Sequence, residues 1–172
     1  GLIDNATEGT VLLDGKDITR ETDKYLTHLR LTKIGFIFQT FNLIPVFNVL
    51  ENVEFPLLLM KERTPAERRA KALELIEAVG LKDHMRHRPN ELSGGQRQRV
   101  AIARALVTDP EIILADEPTA NLDSVTGQSI LEAMKELNER RQTTFIFSTH
   151  DAGVLKYARR IVEIHDGLLQ TA

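Results

Sequence analysis

The sequence contains no cysteine. That excludes disulfides, thiolate metal sites and a cysteine nucleophile, and it fits a reducing compartment. An excess of one charge sign is also lacking. The formal net charge is -3, so no overall basic field draws in nucleic acid. The longest apolar run, Phe55 to Met60, falls far short of the roughly 20 residues that a spanning helix needs. Any membrane role must therefore come through a partner. No Pro/Gly/Ser-rich linker, internal repeat or low-complexity tract divides the chain. Nor is there a G-x-x-x-x-G-K-[ST] loop, whose backbone N–H groups, lysine and hydroxyl cradle phosphates and a magnesium ion.

The 172 residues are 42% hydrophobic and 27% charged, which suits one globular domain over 1–172 with room for a subdomain. Gly9 to Leu13 runs into Asp14-Gly15, a strand meeting a hairpin turn. Asp23 to Leu31 is a modest helix candidate. Lys33 to Phe38 is short, β-branched and aromatic, as a buried strand is, and Gln39 ends it. Val49 to Met60 reads as an apolar helix interrupted at Pro56. Thr64, Pro65 and Glu67 spell a helix start with a capping box. Ala72, Leu73, Ile76 and Val79 line one face of that helix, and Gly80 stops it. No strand is expected between Gln39 and Leu92, so residues 42–108 read as a helical subdomain set into an α/β core.

Residues 90–124 organise the rest. Ser93, Gly94 and Gly95 open a helix from Gln96 to Val107, with Val100, Ala103 and Val107 on one stripe. Arg97, Arg99 and Arg104 fall elsewhere. With no interleaved aromatics they read as a solvated helix face rather than a nucleic-acid surface. Strand Ile112 to Ala115 ends on Asp116 and Glu117. A helix from Val125 to Arg141, a strand from Thr143 to Ser148 and a helix from about Asp151 to Tyr157 follow. A last strand, Arg160 to Ile164, meets the turn Asp166-Gly167. Alternating strands and helices point to a parallel sheet, whose chemistry gathers at the carboxyl ends of the strands. Gln39, Asp116, Glu117 and His150 all sit at such ends. His28, His84, His87 and His165 have no partner pattern and read as surface.

Leu92-Ser93-Gly94-Gly95-Gln96 resembles the signature motif of ATP-binding-cassette (ABC) ATPases. Ile112 to Glu117 resembles their Walker B strand with its catalytic glutamate, and Asn121-Leu122-Asp123 their D-loop. Gln39 in IGFIFQ and His150 in STHD resemble the Q-loop and H-loop. Five motifs in order are a specific match over nearly the whole chain. The resemblance implies an α/β P-loop NTPase (RecA-like) core with a parallel sheet plus an α-helical subdomain. The P-loop and the first strands are missing upstream of GLIDNATEGTVLLDG, so apolar surface is expected to lie exposed.

The resemblance also assigns roles. Asp116 would hold Mg2+, with Gln39 sensing the ion and the attacking water, and Glu117 would orient or deprotonate that water. His150 would contact the γ-phosphate of ATP. Ser93, Gly94, Gly95 and Gln96 would serve the nucleotide of a partner subunit in a head-to-tail homodimer, with Asp123 at that interface. Plainer readings stand beside these: acids closing a solvated loop, Ser93 as an N-cap, Asp123 or Ser124 capping the next helix. The texture of IGFIFQTFNLIP and LADEPTANLDS resembles cassettes of the lipoprotein-release and macrolide-export type, although Ala120 stands where many of these have glycine. That implies a membrane permease partner, no nucleic acid, and a place at the cytoplasmic face of the membrane. A non-catalytic dimerisation or docking module is the alternative. DNA-repair and translation cassettes fit poorly, given the short insertion and single cassette.

Overall fold

Turn chemistry fixes the first element. Asp14 and Gly15 both have positive φ, as the tight hairpin turn requires, and they join β1 (Leu12–Leu13) to β2 (Lys16–Asp17) as an antiparallel pair. The computed structural model describes residues 2–4 and 6–170. Gly1 and Asn5 of the opening stretch lie outside them. Helix α1 (Asp23–Thr32), capped by Thr22, buries Leu26 and Leu29 against Ile18 in a small cluster of their own.

The apolar runs then pair as a sheet. Strands β3 (Ile34–Ile37), β4 (Ile112–Asp116) and β5 (Thr144–Ser148) lie parallel in the order β3-β4-β5. Ile34 pairs with Ile112, and Asp116 with Ser148. Central β4 buries Ile113 and Ala115.

Between β3 and β4 lie α2 (Val49–Met60), α3 (Pro65–Ala78) and α4 (Gly94–Leu106), packed on one another. Pro56 does not interrupt α2. It forfeits one ladder bond, but Val53 and Leu57, both 0% exposed, hold the helix on its neighbours. On α3 the expected capping box forms, with Thr64 N donating to Glu67 Oε2 at 2.7 Å and Glu67 N to Thr64 Oγ1 at 3.3 Å. The buried face is Ala72, Leu75, Ile76 and Val79, while Leu73 is only half-buried. The spacing i, i+3, i+4, i+7 selects Leu75.

The arginines of α4 are not a solvated face. Arg99 donates to Val79 O at 3.1 Å and Ser129 Oγ at 2.8 Å. Arg104 donates to the carbonyls of Phe41 and Asn42, and the Arg97 guanidinium lies 5.1 Å from the Phe41 ring centroid. All three side chains are half-buried, with their guanidinium groups against neighbouring carbonyls, a hydroxyl or a ring. His84 and His87 are likewise half-buried rather than surface residues. Their rings lie 5.2 Å apart, in a segment whose Met85 and His87 carbonyls accept from Leu50 and Val49 at the start of α2.

After β4, α5 (Ser124–Arg141) buries Ile130, Leu131, Met134 and Leu137. Helix α6 (Ala152–Leu155) is shorter than expected. No strand forms over 160–163. Instead β6 (Ile164–His165) and β7 (Leu168–Leu169) make a hairpin around Asp166-Gly167. The outer edge of β5 is unpaired among the described residues, and residues 160–163 do not add to it. The expected apolar exposure is there: Ile146 is 50%, Val162 55% and Leu168 70% exposed.

Glycine sets how α4 meets α5. A Cβ on Gly95 would lie 2.5 Å from Thr126 Cγ2, and one on Gly94 3.2 Å from Leu122 Cδ2. Gly95→Ala is expected to destabilise the chain by about 1–3 kcal/mol through overpacking. Adding Thr126→Ser, which removes the opposing methyl, should recover most of the loss in urea titrations; no recovery would mean that the contact is not the cause. Asn52 is a second sensitive point. It is 0% exposed, accepts from Ile44 N at 2.8 Å and donates to the carbonyls of Ile44, Phe47 and Asn48 at 3.2, 3.1 and 3.0 Å. Ile44 O and Asn48 O keep backbone donors from Phe47 N and Asn52 N, but Asn52→Leu takes the side-chain partner from Ile44 N and Phe47 O and should cost about 2–3 kcal/mol, read by thermal denaturation.

Candidate active site

The carboxyl ends of three parallel strands bring together residues that are far apart in sequence. Gln39 lies just beyond β3, Glu117 follows β4, and His150 lies just beyond β5. The chain turns sharply after Asp116: Glu117 has φ 43°, a left-handed conformation uncommon for a side-chain-bearing residue. Its backbone N–H donates to Ser148 O at 2.9 Å, which locks the turn to the end of β5.

The turn aims the Glu117 carboxylate at the loop after β5. Thr149 Oγ1 donates to Oε2 at 3.0 Å, and His150 N donates to Oε1 at 3.1 Å. His150 Nδ1 lies 2.6 Å from Oε1. Burial pushes the Glu117 carboxyl up. The hydrogen bonds from Thr149 and His150 outweigh it and hold the group below the usual carboxylate range. The Glu117 side chain is 18% exposed and that of His150 90%, so the acid sits inside while the imidazole faces out. Asp116 is exposed and unpaired among the described residues.

Gln39 is held through its backbone, with Asn121 Nδ2 donating to Gln39 O at 2.8 Å. Asp123 caps α5, and Thr126 N donates to its Oδ1 at 3.0 Å. The Thr126 hydrogen bonds hold the Asp123 carboxyl below its usual range. The cap reading of Asp123 is thus realised in this structure, and so is that of Ser93. Gln96 N donates to Ser93 Oγ at 3.2 Å, and Ser93 N donates to Gln96 Oε1 at 2.9 Å. That leaves the Gln96 amide nitrogen for His84 Nε2 at 3.0 Å.

Among the described residues, Ser93 to Gln96 make no hydrogen bond to Gln39, Asp116, Glu117 or His150. The link is Gln98, which sequence reading passed over. It is 0% exposed, and its Nε2 donates to Pro118 O at 2.7 Å, one residue beyond Glu117. The available signal was its place at helical spacing with the buried Ile102 and Leu106: a polar residue on a buried stripe needs a partner.

No group of three or more His, Cys, Asp or Glu that could hold a metal ion occurs among the described residues. One exposed, unpaired carboxylate does suit an ion that takes its remaining ligands from water and substrate oxygens, the usual habit of magnesium.

Residues 2–120 match the family model described as ABC transporter. The chain is 46% identical to ABC transporter H family member 2 of Dictyostelium discoideum over 171 residues, covering 99% of itself but 33% of that protein. It is 48% identical over 164 residues to the ABC transporter ATP-binding protein YtrE of Bacillus subtilis, covering 95% of itself and 71% of YtrE. Its structure is similar to that of the ATP-binding cassette MJ0796, from Methanocaldococcus jannaschii, solved as a dimer in a post-hydrolysis state bound to ADP and Pi. The TM-score is 0.88 at 46% identity, covering 99% of this chain and 75% of that one. No helix among the described residues is long and apolar enough to cross a membrane. With the motifs, the α/β fold and the relatives in agreement, the chain belongs to the ABC transporter family of ATP-binding proteins.

Proposed function

We propose that this chain supplies the water-activating and partner-facing parts of an ABC ATPase that powers a membrane permease. The observation that carries the reading is Glu117, fixed by Thr149 and His150 beside an unpaired Asp116 at the carboxyl end of the sheet. Asp116 would bind Mg2+, with Gln39 nearby to sense it. When bound, that ion neutralises charge on the β and γ phosphates of ATP. Glu117 orients the attacking water and takes its proton. His150, exposed and anchored through Nδ1, can turn its other ring nitrogen to a γ-phosphate. Ser93 to Gln96 present the start of α4 to the nucleotide of a second copy in a head-to-tail dimer. A helix amino end favours an anion there, and Asp123 would meet the second copy at the same interface. MJ0796 was solved as a dimer bound to ADP and Pi, which supports both the nucleotide and the pairing.

We further assign residues 42–108 to a helical subdomain of the single domain, and the permease partner to the lipoprotein-release or macrolide-export type. The 172 residues carry no G-x-x-x-x-G-K-[ST] loop. They hold no phosphate cradle, so they are expected not to turn over ATP alone. That same fact favours the second reading, a docking or dimerisation module without turnover.

ATP binding and hydrolysis with Mg2+ should be measured on residues 1–172 and on the same chain joined behind a strand–P-loop–helix segment taken from MJ0796. The joined chain is expected to bind and hydrolyse ATP. Glu117→Gln should keep binding and lower kcat by about 10²–10⁴-fold. Equal binding by the shorter chain would refute the division of labour. Binding without hydrolysis in the joined chain would favour the docking module.

A further inference from the structure

Gln39 is followed by an unusual stretch of backbone. Phe41 has φ 63° and Asn42 φ 48°, two consecutive left-handed residues, neither of them glycine. Sterics disfavour that conformation for side-chain-bearing residues, and it normally occurs singly. Local bonds help to close the turn: Phe41 N donates to Phe38 O at 3.0 Å, Asn42 N to Thr40 O at 2.7 Å, and Thr40 Oγ1 to Asn42 Oδ1 at 2.8 Å.

The carbonyls of both left-handed residues point to one side chain. Arg104 Nη2 donates to Phe41 O at 2.7 Å and Nη1 to Asn42 O at 2.5 Å. No carboxylate among the described residues balances this half-buried cation, and burial pulls its pKa below the usual arginine value. Its charge is spent on two backbone oxygens. A planar fork can serve two adjacent acceptors at once, where a lysine ammonium offers only a point charge. Arg97, two turns earlier on α4, covers the Phe41 ring.

We propose that Arg104 is the positioning residue for Gln39: from the last turn of α4 its guanidinium holds the Phe41-Asn42 turn in its left-handed form and so fixes the backbone that carries Gln39. Asn121 fixes the other side of that backbone through Gln39 O. The importance of Gln39 rests on the ATPase reading above; the hold on the turn does not. One rigid helix then carries Ser93 to Gln96 at its first turn and the anchor of the Gln39 turn at its last, about 12–17 Å apart at 1.5 Å per residue. A shift of α4 moves both together.

Hydrogen–deuterium exchange on wild type, Arg104→Lys and Arg104→Gln tests the hold. Exchange over residues 39–44 is expected to rise about tenfold in both variants, while β4 and α5 exchange as in wild type, the mark of local opening. Unchanged exchange over 39–44, or a rise spread evenly over the chain, overturns the proposal. If Arg104→Gln does not fold, Arg104→Lys, which keeps the charge and the stem, decides it alone. In the joined chain, Arg104→Lys should lower kcat about 10–100-fold with the KM for ATP nearly unchanged. A local exchange effect with no change in kcat would leave the hold standing and refute the role given to Gln39 in turnover.

Discussion

With glycine at 94 and 95, the first turn of α4 comes into side-chain contact with Leu122 and Thr126, and much of the site follows from that approach. It brings Gln98 within reach of Pro118 O, pinning the chain one residue after the left-handed Glu117. It also sets the loop from which Asn121 reaches Gln39 O. In the signature turn, small residues are needed for packing inside the chain before any ligand is considered. The cap made by Ser93 and Gln96 satisfies that end of the helix at the same time.

Charge holds the other end of the helical layer. Asp109, in the turn between α4 and β4, meets Lys71 of α3 at 2.9 Å and Arg141 of α5 at 3.0 Å. Arg141 also reaches Glu74 of α3 at 2.5 Å. Single exposed ion pairs contribute about 0–1 kcal/mol, but this cluster joins three elements, and Lys71 and Arg141 keep only 16% and 19% of their side chains exposed. The helical layer is therefore fastened by close packing and buried amides near the carboxyl ends of the strands and by ions at the far side. The two kinds of fastening respond differently to salt.

The three parallel strands, the capped start of α3 and the gathering of Gln39, Asp116, Glu117 and His150 at strand ends were legible in sequence because each rests on local pattern. What was not legible depends on partners. Arg97, Arg99 and Arg104 fall off the apolar stripe and pass for solvated residues, yet guanidinium donors find backbone carbonyls, a hydroxyl and a ring that no spacing rule displays. His84 and His87 pass for surface until Gln96 and the start of α2 close around their segment. Arg160 to Ile164 has the composition of a strand, but composition does not choose the pairing partner, and its end pairs locally with Leu168–Leu169 instead of joining the sheet. Gln98 was visible only as a polar residue on a buried stripe.

Pairing Ile34 with Ile112 joins residues separated by three intervening helices. A ribosome adding roughly 5–20 residues per second needs about 4–16 s to make β4 after β3 has emerged. During that interval the Ile34–Ile37 segment, apolar and rich in strand-forming residues, has no strand to pair with. The helices made meanwhile, α2 to α4, can form from local contacts, with α4 packing on β3 and α2 and α3 packing on α4. Their early collapse would then act as an internal chaperone for the strand. Sequence changes in α2 and α4 could alter the yield of folded protein as much as the finished structure.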